Sequence, residues 1–323
     1  MSVLNNRRDP RPNSGRGPKP TSTDLGTLRG TRPSRRKRTN LWLLAPALIL
    51  FGVFGVLPLL GTIALSLTTW SGLGSPQWDG LGNWKDVFSD PVTWTTVKIS
   101  LQVMVGSWAI QTPLSLLLGV YIAKFGKFRA LLAVFYFIPL LLSSAAVAFI
   151  YKYLLDANFG LFSSRSLGIF HQDYLGNKNL VLGVVTFIIA WHFVPLHTLL
   201  YQGGVRQIPQ VLYEAAALDG AGVFKQFFSI TLPQLKYTIV TSSTLILVGS
   251  LTYFDLVFAL TAGGPGYATR LLPLHMYITG FKETQMGKAS AIAAILAVVG
   301  LTMSLVLTKV TGFNRMESQQ EGM

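Results

Sequence analysis

Between residues 207 and 234 the chain reads Gln207-Ile-Pro-Gln-Val-Leu-Tyr-Glu-Ala-Ala-Ala-Leu-Asp-Gly-Ala-Gly-Val-Phe-Lys-Gln-Phe-Phe-Ser-Ile-Thr-Leu-Pro-Gln. The chemistry of this segment is recognition. Pro209 suits the first turn of a short helix, and Ala215, Ala216, Ala217 and Leu218 favour its interior. Gly220 can close that helix in a left-handed C-cap. A second short stretch carries Phe224, Phe227 and Phe228 before Leu232-Pro233 opens the next apolar run, so two short helices joined at a glycine are expected. Small side chains make such a helix thin enough to enter a groove on another protein. There Glu214 would accept charge-assisted hydrogen bonds from the partner. A surface helix without a partner satisfies the same pattern, and the residues alone leave both readings open.

Catalytic chemistry has little to work with. The absence of Cys excludes disulfides, thiolate metal sites and cysteine nucleophiles. His171, His192, His197 and His275 form neither an H-x-x-x-H nor an H-E-x-x-H pair, so no metal site and no catalytic residue is assigned. The nearest approach to a P-loop, Gly287-Lys288-Ala289, lacks the following Ser/Thr and the upstream glycine, which excludes ATP hydrolysis by the chain itself. A six-span membrane enzyme of the serine-protease kind would need a Gly-x-Ser-Gly nucleophile, which Gly249-Ser250-Leu251 does not supply. A six-span channel would need a filter loop or an Arg ladder, and no apolar run carries one.

The elements that must position the 207–234 segment are apolar. Half of the 323 residues are hydrophobic and 12% are charged, against about 25% charged in soluble domains. Six charge-poor windows reach the ~20 residues that cross a bilayer as a helix: Leu41–Thr69, Ile99–Ala123, Ala130–Tyr151, Leu180–Tyr201, Tyr237–Phe254 and Ala289–Thr308. The fifth can run on through Asp255 to Leu260. The first is long enough to be tilted, kinked near Pro46 or Pro58, or to emerge before Thr69. Helices are the expected form because lipid offers unpaired backbone groups no partner. The first window starts too late and runs too far for a signal peptide. No internal repeat is visible, which weighs against a transporter built from inverted halves.

Charge sets the orientation. Of 27 Lys and Arg, 11 fall in residues 1–40, opposed only by Asp9 and Asp24. The pI near 10.1 therefore describes a tail, not a nucleic-acid-binding face. That tail, rich in Arg, Pro, Gly, Ser and Thr, is expected to be disordered and to lie on anionic headgroups as a topology anchor; a regulatory contact is the alternative. With the tail inside, 19 of the 27 basic residues fall on the cytoplasmic side, so both termini are expected there. The loop with Arg270, Lys282 and Lys288 runs against the trend. The first external loop, Trp70–Thr96, carries Trp70, Trp78, Trp84 and Trp94 as interfacial anchors or as a docking surface.

The 207–234 segment also carries a resemblance. Glu214-Ala215-Ala216, Asp219-Gly220-Ala221, Phe224, Phe227, Ile230 and Leu232-Pro233 resemble the EAA signature of ABC importer permeases, with the spacing kept. Tyr237 stands where that family usually has a further Pro. The run Tyr253-Phe254-Asp255-Leu256-Val257-Phe258-Ala259-Leu260-Thr261-Ala262-Gly263-Gly264-Pro265-Gly266 is similar to the end of span five in sugar permeases of the maltose and glycerol-phosphate type.

The resemblance covers about residues 41–309 and implies an all-α, six-span permease of the type I ABC importer fold in the bacterial inner membrane. Residues 1–40 and 310–323 would be tails, and about 202–236 the cytoplasmic coupling loop. Glu214, Ala215, Ala216, Asp219 and Gly220 would contact a separate dimeric ATPase, which binds the ATP and Mg; this chain would bind no cofactor. A second, non-identical permease and an extracytoplasmic solute-binding protein would complete the system. The solute would be a sugar, or a non-sugar such as glycerol phosphate.

The family also implies a central site beside the coupling loop, where Trp191, His192 and His197 face Thr244, Ser250, Thr252, Tyr253 and Asp255. Polar groups at bilayer depth are costly and turn to a cavity or the bundle interior. An aromatic platform with hydrogen-bonding neighbours suits a sugar. His192, Ser250 and Tyr253 are selected, the last two sharing a face at i, i+3. Interhelical hydrogen bonding is the other use for such groups. Asp255 is read as a gate or a helix-end group.

Overall fold

The computed structural model describes residues 44–124, 126–163 and 171–310. The basic tail, residues 41–43 of the first window and the tail after Val310 lie outside the described residues. Contacts separate Met1–Leu50 from Phe51–Met323. In the first unit the described residues open a helix at Ala45; all packing below lies within the second.

The elements are helices: α1 (Ala45–Leu65), α2 (Gly82–Ser89), α3 (Pro91–Ala123), α4 (Lys127–Leu141), α5 (Ser144–Leu154), α6 (Val181–Arg206), α7 (Gln210–Leu218), α8 (Val223–Gln226), α9 (Lys236–Ser250), α10 (Asp255–Thr261), α11 (Leu272–Tyr277) and α12 (Met286–Val310). Among the described residues the only sheet is a two-stranded ribbon, Thr68–Thr69 with Gln77–Trp78. Four helices, α1, α3, α6 and α12, are long and apolar enough to cross a membrane unbroken. Two bent pairs, α4 with α5 and α9 with α10, are also apolar enough, and counting each pair as one span gives six among the described residues.

Windows three and five were each expected as one helix, and each is broken instead. The axis turns by 97° between α4 and α5 and by 50° between α9 and α10. Pro139 weakens the end of α4 because it has no N–H to donate. Ser143 then caps α5 by accepting from Ala146 N at 3.2 Å. At the end of α9 the hydroxyls of Ser250 and, just beyond it, Thr252 each donate back to a carbonyl, Leu247 O and Gly249 O, at 2.7 Å. Such back-bonding competes with the backbone ladder and bends helices. Asp255 begins α10 and so is a helix-end group, where its charge suits the positive end of the dipole.

The first span settles another alternative, since its helix ends at Leu65, short of Thr69. A π-helical turn at Gly52–Val56 lies between the two prolines. The second span starts earlier than expected, at Pro91. Its 33 residues make a helix about 50 Å long, well beyond the ~30 Å hydrocarbon layer.

The loop Trp70–Thr96 is folded. Asn83 Nδ2 donates to Ser66 O at 3.0 Å and Thr68 O at 2.8 Å, and Trp84 Nε1 donates to Ser66 Oγ. Val87 of α2 packs with Leu272, Ala291 and Ile292, which ties this loop to α11 and α12. Trp84 is therefore held inward, whereas Trp78 is 75% exposed.

The broadest helix contact joins α3 to α6. Ser107, Gln111, Ser115 and Gly119 recur every fourth residue along it and are buried, the short ones letting the backbones approach closely. The larger apolar core gathers Val103, Val147, Val185, Ile188, Ile189, Val257 and Leu274 from α3, α5, α6, α10 and α11.

Asp90 anchors the far end of α3 from the 207–234 loop. It caps α3 by accepting from Val92 N at 2.9 Å, pairs with Lys288 Nζ at 3.2 Å and lies 3.9 Å from His275 Nε2. Burial opposes its charge, but the Val92 N–H, Lys288 and His275 outweigh burial and hold the carboxyl below the usual carboxylate range. Asp90→Ala should therefore cost about 1 kcal/mol or more. The sign follows from the depressed value. The stabilisation is complete above the ordinary carboxylate range and is lost as pH falls through the depressed value. Melting of the detergent-solubilised protein against pH is the measurement: the gap between wild type and variant should close only in strong acid. An equal gap at every pH would refute the electrostatic account.

Candidate functional site

Two regions combine exposed or unsatisfied polar groups with irregular backbone. The first is the 207–234 segment. α7 ends as its residues dictate. Gly220 takes φ +74°, its N–H reaches Ala217 O at 3.0 Å, and Ala221 N reaches Ala216 O at 2.8 Å. This pairing is a Schellman cap, which satisfies carbonyls that a helix end would leave open. The chain then turns into α8, where Gln226 Nε2 donates to Ala221 O at 2.8 Å. Tyr213 OH and Thr231 Oγ1, 2.9 Å apart, hold the two limbs together.

What this hairpin presents outward is apolar. Leu218 is 91% exposed and Phe224 83%, with Val211 and Val223 also open. Glu214, Ala215, Asp219 and Gly220 are exposed and Ala216 is half-buried. Among the described residues Glu214 makes no ion pair. A rigid, glycine-hinged hairpin with apolar tips and a free carboxylate is equipped to bind a groove.

The second region lies where the two bent pairs meet, with α10 packed against α5. Irregular backbone at membrane depth is tolerated where it is buried in protein or lines a water-filled cavity. His192 and Ser250 are each 4% exposed and Tyr253 is partly buried. His192 and Tyr253 come together through Phe193: the ring centroids lie 4.6 Å apart for His192–Phe193 and 5.4 Å for Phe193–Tyr253, the latter pair stacked. The Ser250 hydroxyl is directed back to its own helix. His197 bonds Ser242 Oγ at 3.0 Å, which makes it a link between α6 and α9. Trp191 packs edge-on against Tyr151.

Sequence reasoning overlooked Gln111. It is fully buried on α3, the Tyr253 hydroxyl is its hydrogen-bonding neighbour, and no other group completes a hydrogen bond to its carboxamide among the described residues. The available signal was a carboxamide in the middle of a long apolar run. Among the described residues no group of three or more His, Asp or Glu is placed to hold a metal.

The family model described as "Binding-protein-dependent transport system inner membrane component" matches residues 113–311. The probable ABC transporter permease protein YurN of Bacillus subtilis (strain 168) is 32% identical over 274 residues, spanning 82% of this chain and 93% of that protein. The multiple sugar-binding transport system permease protein MsmF of Streptococcus mutans is 33% identical over 272 residues, 82% of this chain and 92% of MsmF. In fold, the chain matches one from the crystal structure of a bacterial alginate ABC transporter in complex with alginate pentasaccharide-bound periplasmic protein. That match has a TM-score of 0.74 at 21% identity and covers 84% of this chain and 94% of the other.

Proposed function

The chain belongs to the binding-protein-dependent transport system inner membrane components, and on that premise we propose that it forms half of the path by which a sugar enters the cell. It is a multi-pass inner-membrane permease of an ABC importer and performs no catalytic step. In the proposed arrangement α7 seats in a groove of a separate dimeric ATPase that binds ATP and Mg. Glu214 accepts hydrogen bonds there, Ala215 and Ala216 permit close approach, and the Asp219-Gly220 turn fixes the angle of entry. A second, non-identical permease supplies the other half of the path. An extracytoplasmic binding protein delivers the solute.

The observation that carries this reading is the capped hairpin, whose apolar tips and exposed Glu214 face outward while its base is braced by Tyr213–Thr231. The sugar is supported by the ring cluster His192–Phe193–Tyr253 beside buried polar groups. It is further supported by relatives named for sugars, among them a trehalose/maltose permease of Thermococcus litoralis, 31% identical over 291 residues. Charge asymmetry supports both termini and the 207–234 loop facing the cytoplasm.

Uptake of labelled sugars by cells, with and without the chain, tests the function. Orientation has its own test, because a chain without native Cys accepts single cysteines for accessibility mapping. Cysteines at positions 75 and 267, the latter in the exposed α10–α11 connection, should label from outside intact cells, and those at 127 and 220 only after permeabilisation. External labelling at 220 would invert the proposed topology.

A further inference from the structure

We infer that Gln111 is a specificity-determining residue of the solute path, its carboxamide binding a pair of neighbouring hydroxyls on the sugar as the spans open around it. The inference rests on the sugar-path reading above and adds to it a residue from α3, outside the His192, Ser250 and Tyr253 set.

The side chain is fully buried, so neither lipid nor a second permease touches it in the packed state. Beyond the Tyr253 hydroxyl, its Nε2 and Oε1 find no partner among the described residues, and neither do Ser107 Oγ and Thr112 Oγ1 nearby on the same helix. An unsatisfied buried amide is costly, and most such groups in folded proteins have a partner. A carboxamide offers donors on one atom and an acceptor on the other, which matches one hydroxyl that accepts and a neighbouring hydroxyl that donates. The Tyr253 hydroxyl stands beside it, and the Tyr253 ring stacks on Phe193, giving the apolar face of a sugar ring a surface to rest on. α9 is joined to α3 nearby, where Trp108 Nε1 donates to Ser243 Oγ at 2.9 Å. A movement of α9 relative to α3 would therefore uncover the amide. As packed, the amide has only the Tyr253 hydroxyl to pair with, and a hydroxyl-bearing solute would complete its hydrogen bonds.

The test is Gln111→Met, which keeps the length of the side chain and removes its hydrogen bonds. The complete transporter would be assayed in proteoliposomes with labelled maltose, trehalose and diacetylchitobiose, reading sugar moved per ATP hydrolysed. Melting temperature and co-purification of the ATPase would be measured alongside. Sugar moved per ATP should fall about tenfold, with ATPase association unchanged. Melting should rise by about 2–4 °C because the incompletely paired buried amide is gone. Wild-type sugar movement by Gln111→Met overturns the inference alone, and is the result expected if a trapped water satisfies the amide. A lowered melting temperature with transport falling only as abundance falls also overturns it, making Gln111 a packing residue. Failure of the wild-type complex to move any of the three sugars overturns the sugar reading, and the inference with it.

Discussion

Gly220→Val is expected to disconnect the chain from its ATPase while leaving membrane abundance unchanged. Gly220 adopts φ +74°, and a Cβ added there would meet nothing within 4 Å. The penalty is therefore conformational and confined to the backbone. A residue with a Cβ in the left-handed region costs about 1–2 kcal/mol, and β-branching adds stiffness. That lowers the population of the productive turn by about 5- to 30-fold. The Schellman bonds from Gly220 N and Ala221 N would be lost with the turn, which frees the end of α7 and changes how Leu218 and Phe224 are presented. Glu214→Ala should act differently, by leaving donors of the partner unpaired at a cost of about 1–3 kcal/mol while the hairpin keeps its shape. Both variants should insert normally, because no span is altered. The measurements are sugar uptake and co-purification of the ATPase, normalised to the amount of chain in the membrane. Normal uptake by both variants would remove this hairpin from coupling.

Length and hydropathy alone located the four unbroken spans and the two bent pairs, because a bilayer requires ~20 apolar residues whatever the packing. The hairpin was legible for a different reason. Helix formers, Gly220 and the Phe run are local signals, and local signals decide how a short exposed segment folds. The breaks at Leu142–Ser143 and at Leu251–Phe254 were not legible, since hydropathy averages over a window and does not register where Ser250 and Thr252 direct their hydroxyls. The same holds for the loop Trp70–Thr96. Its tryptophans suggested anchors or a docking surface, whereas Asn83 and Trp84 fold it onto Ser66 and Thr68. Gln111 and Gly119 needed knowledge of which face of α3 meets α6. A helix hydrophobic almost all round gives its sequence little periodicity from which to read that face.

Gly119 yields the opposite kind of failure from Gly220. Here the backbone is ordinary helix and the constraint is space. A Cβ on Gly119 would lie 2.6 Å from Tyr201 Cβ and 3.1 Å from both Thr198 O and Gln202 N. None of these atoms can rotate away, because each belongs to the α6 backbone or is bonded directly to it. Gly119→Ala must therefore push α3 and α6 apart where they make the broadest contact of the fold, and overpacking of this kind costs about 1–3 kcal/mol. Gly119→Val should cost more, because its branched side chain occupies a gap that already excludes one carbon. Gly203, also on α6, supplies the control: a Cβ there meets nothing within 4 Å, so Gly203→Ala should stay within about 0.5 kcal/mol of wild type. Membrane abundance and melting in detergent are the readouts. Gly119→Val should be depleted from the membrane and melt early, Gly119→Ala should be intermediate, and any Gly119 variant that survives should still bind the ATPase. Wild-type abundance and melting for Gly119→Val would mean that α3 and α6 do not approach this closely in the membrane.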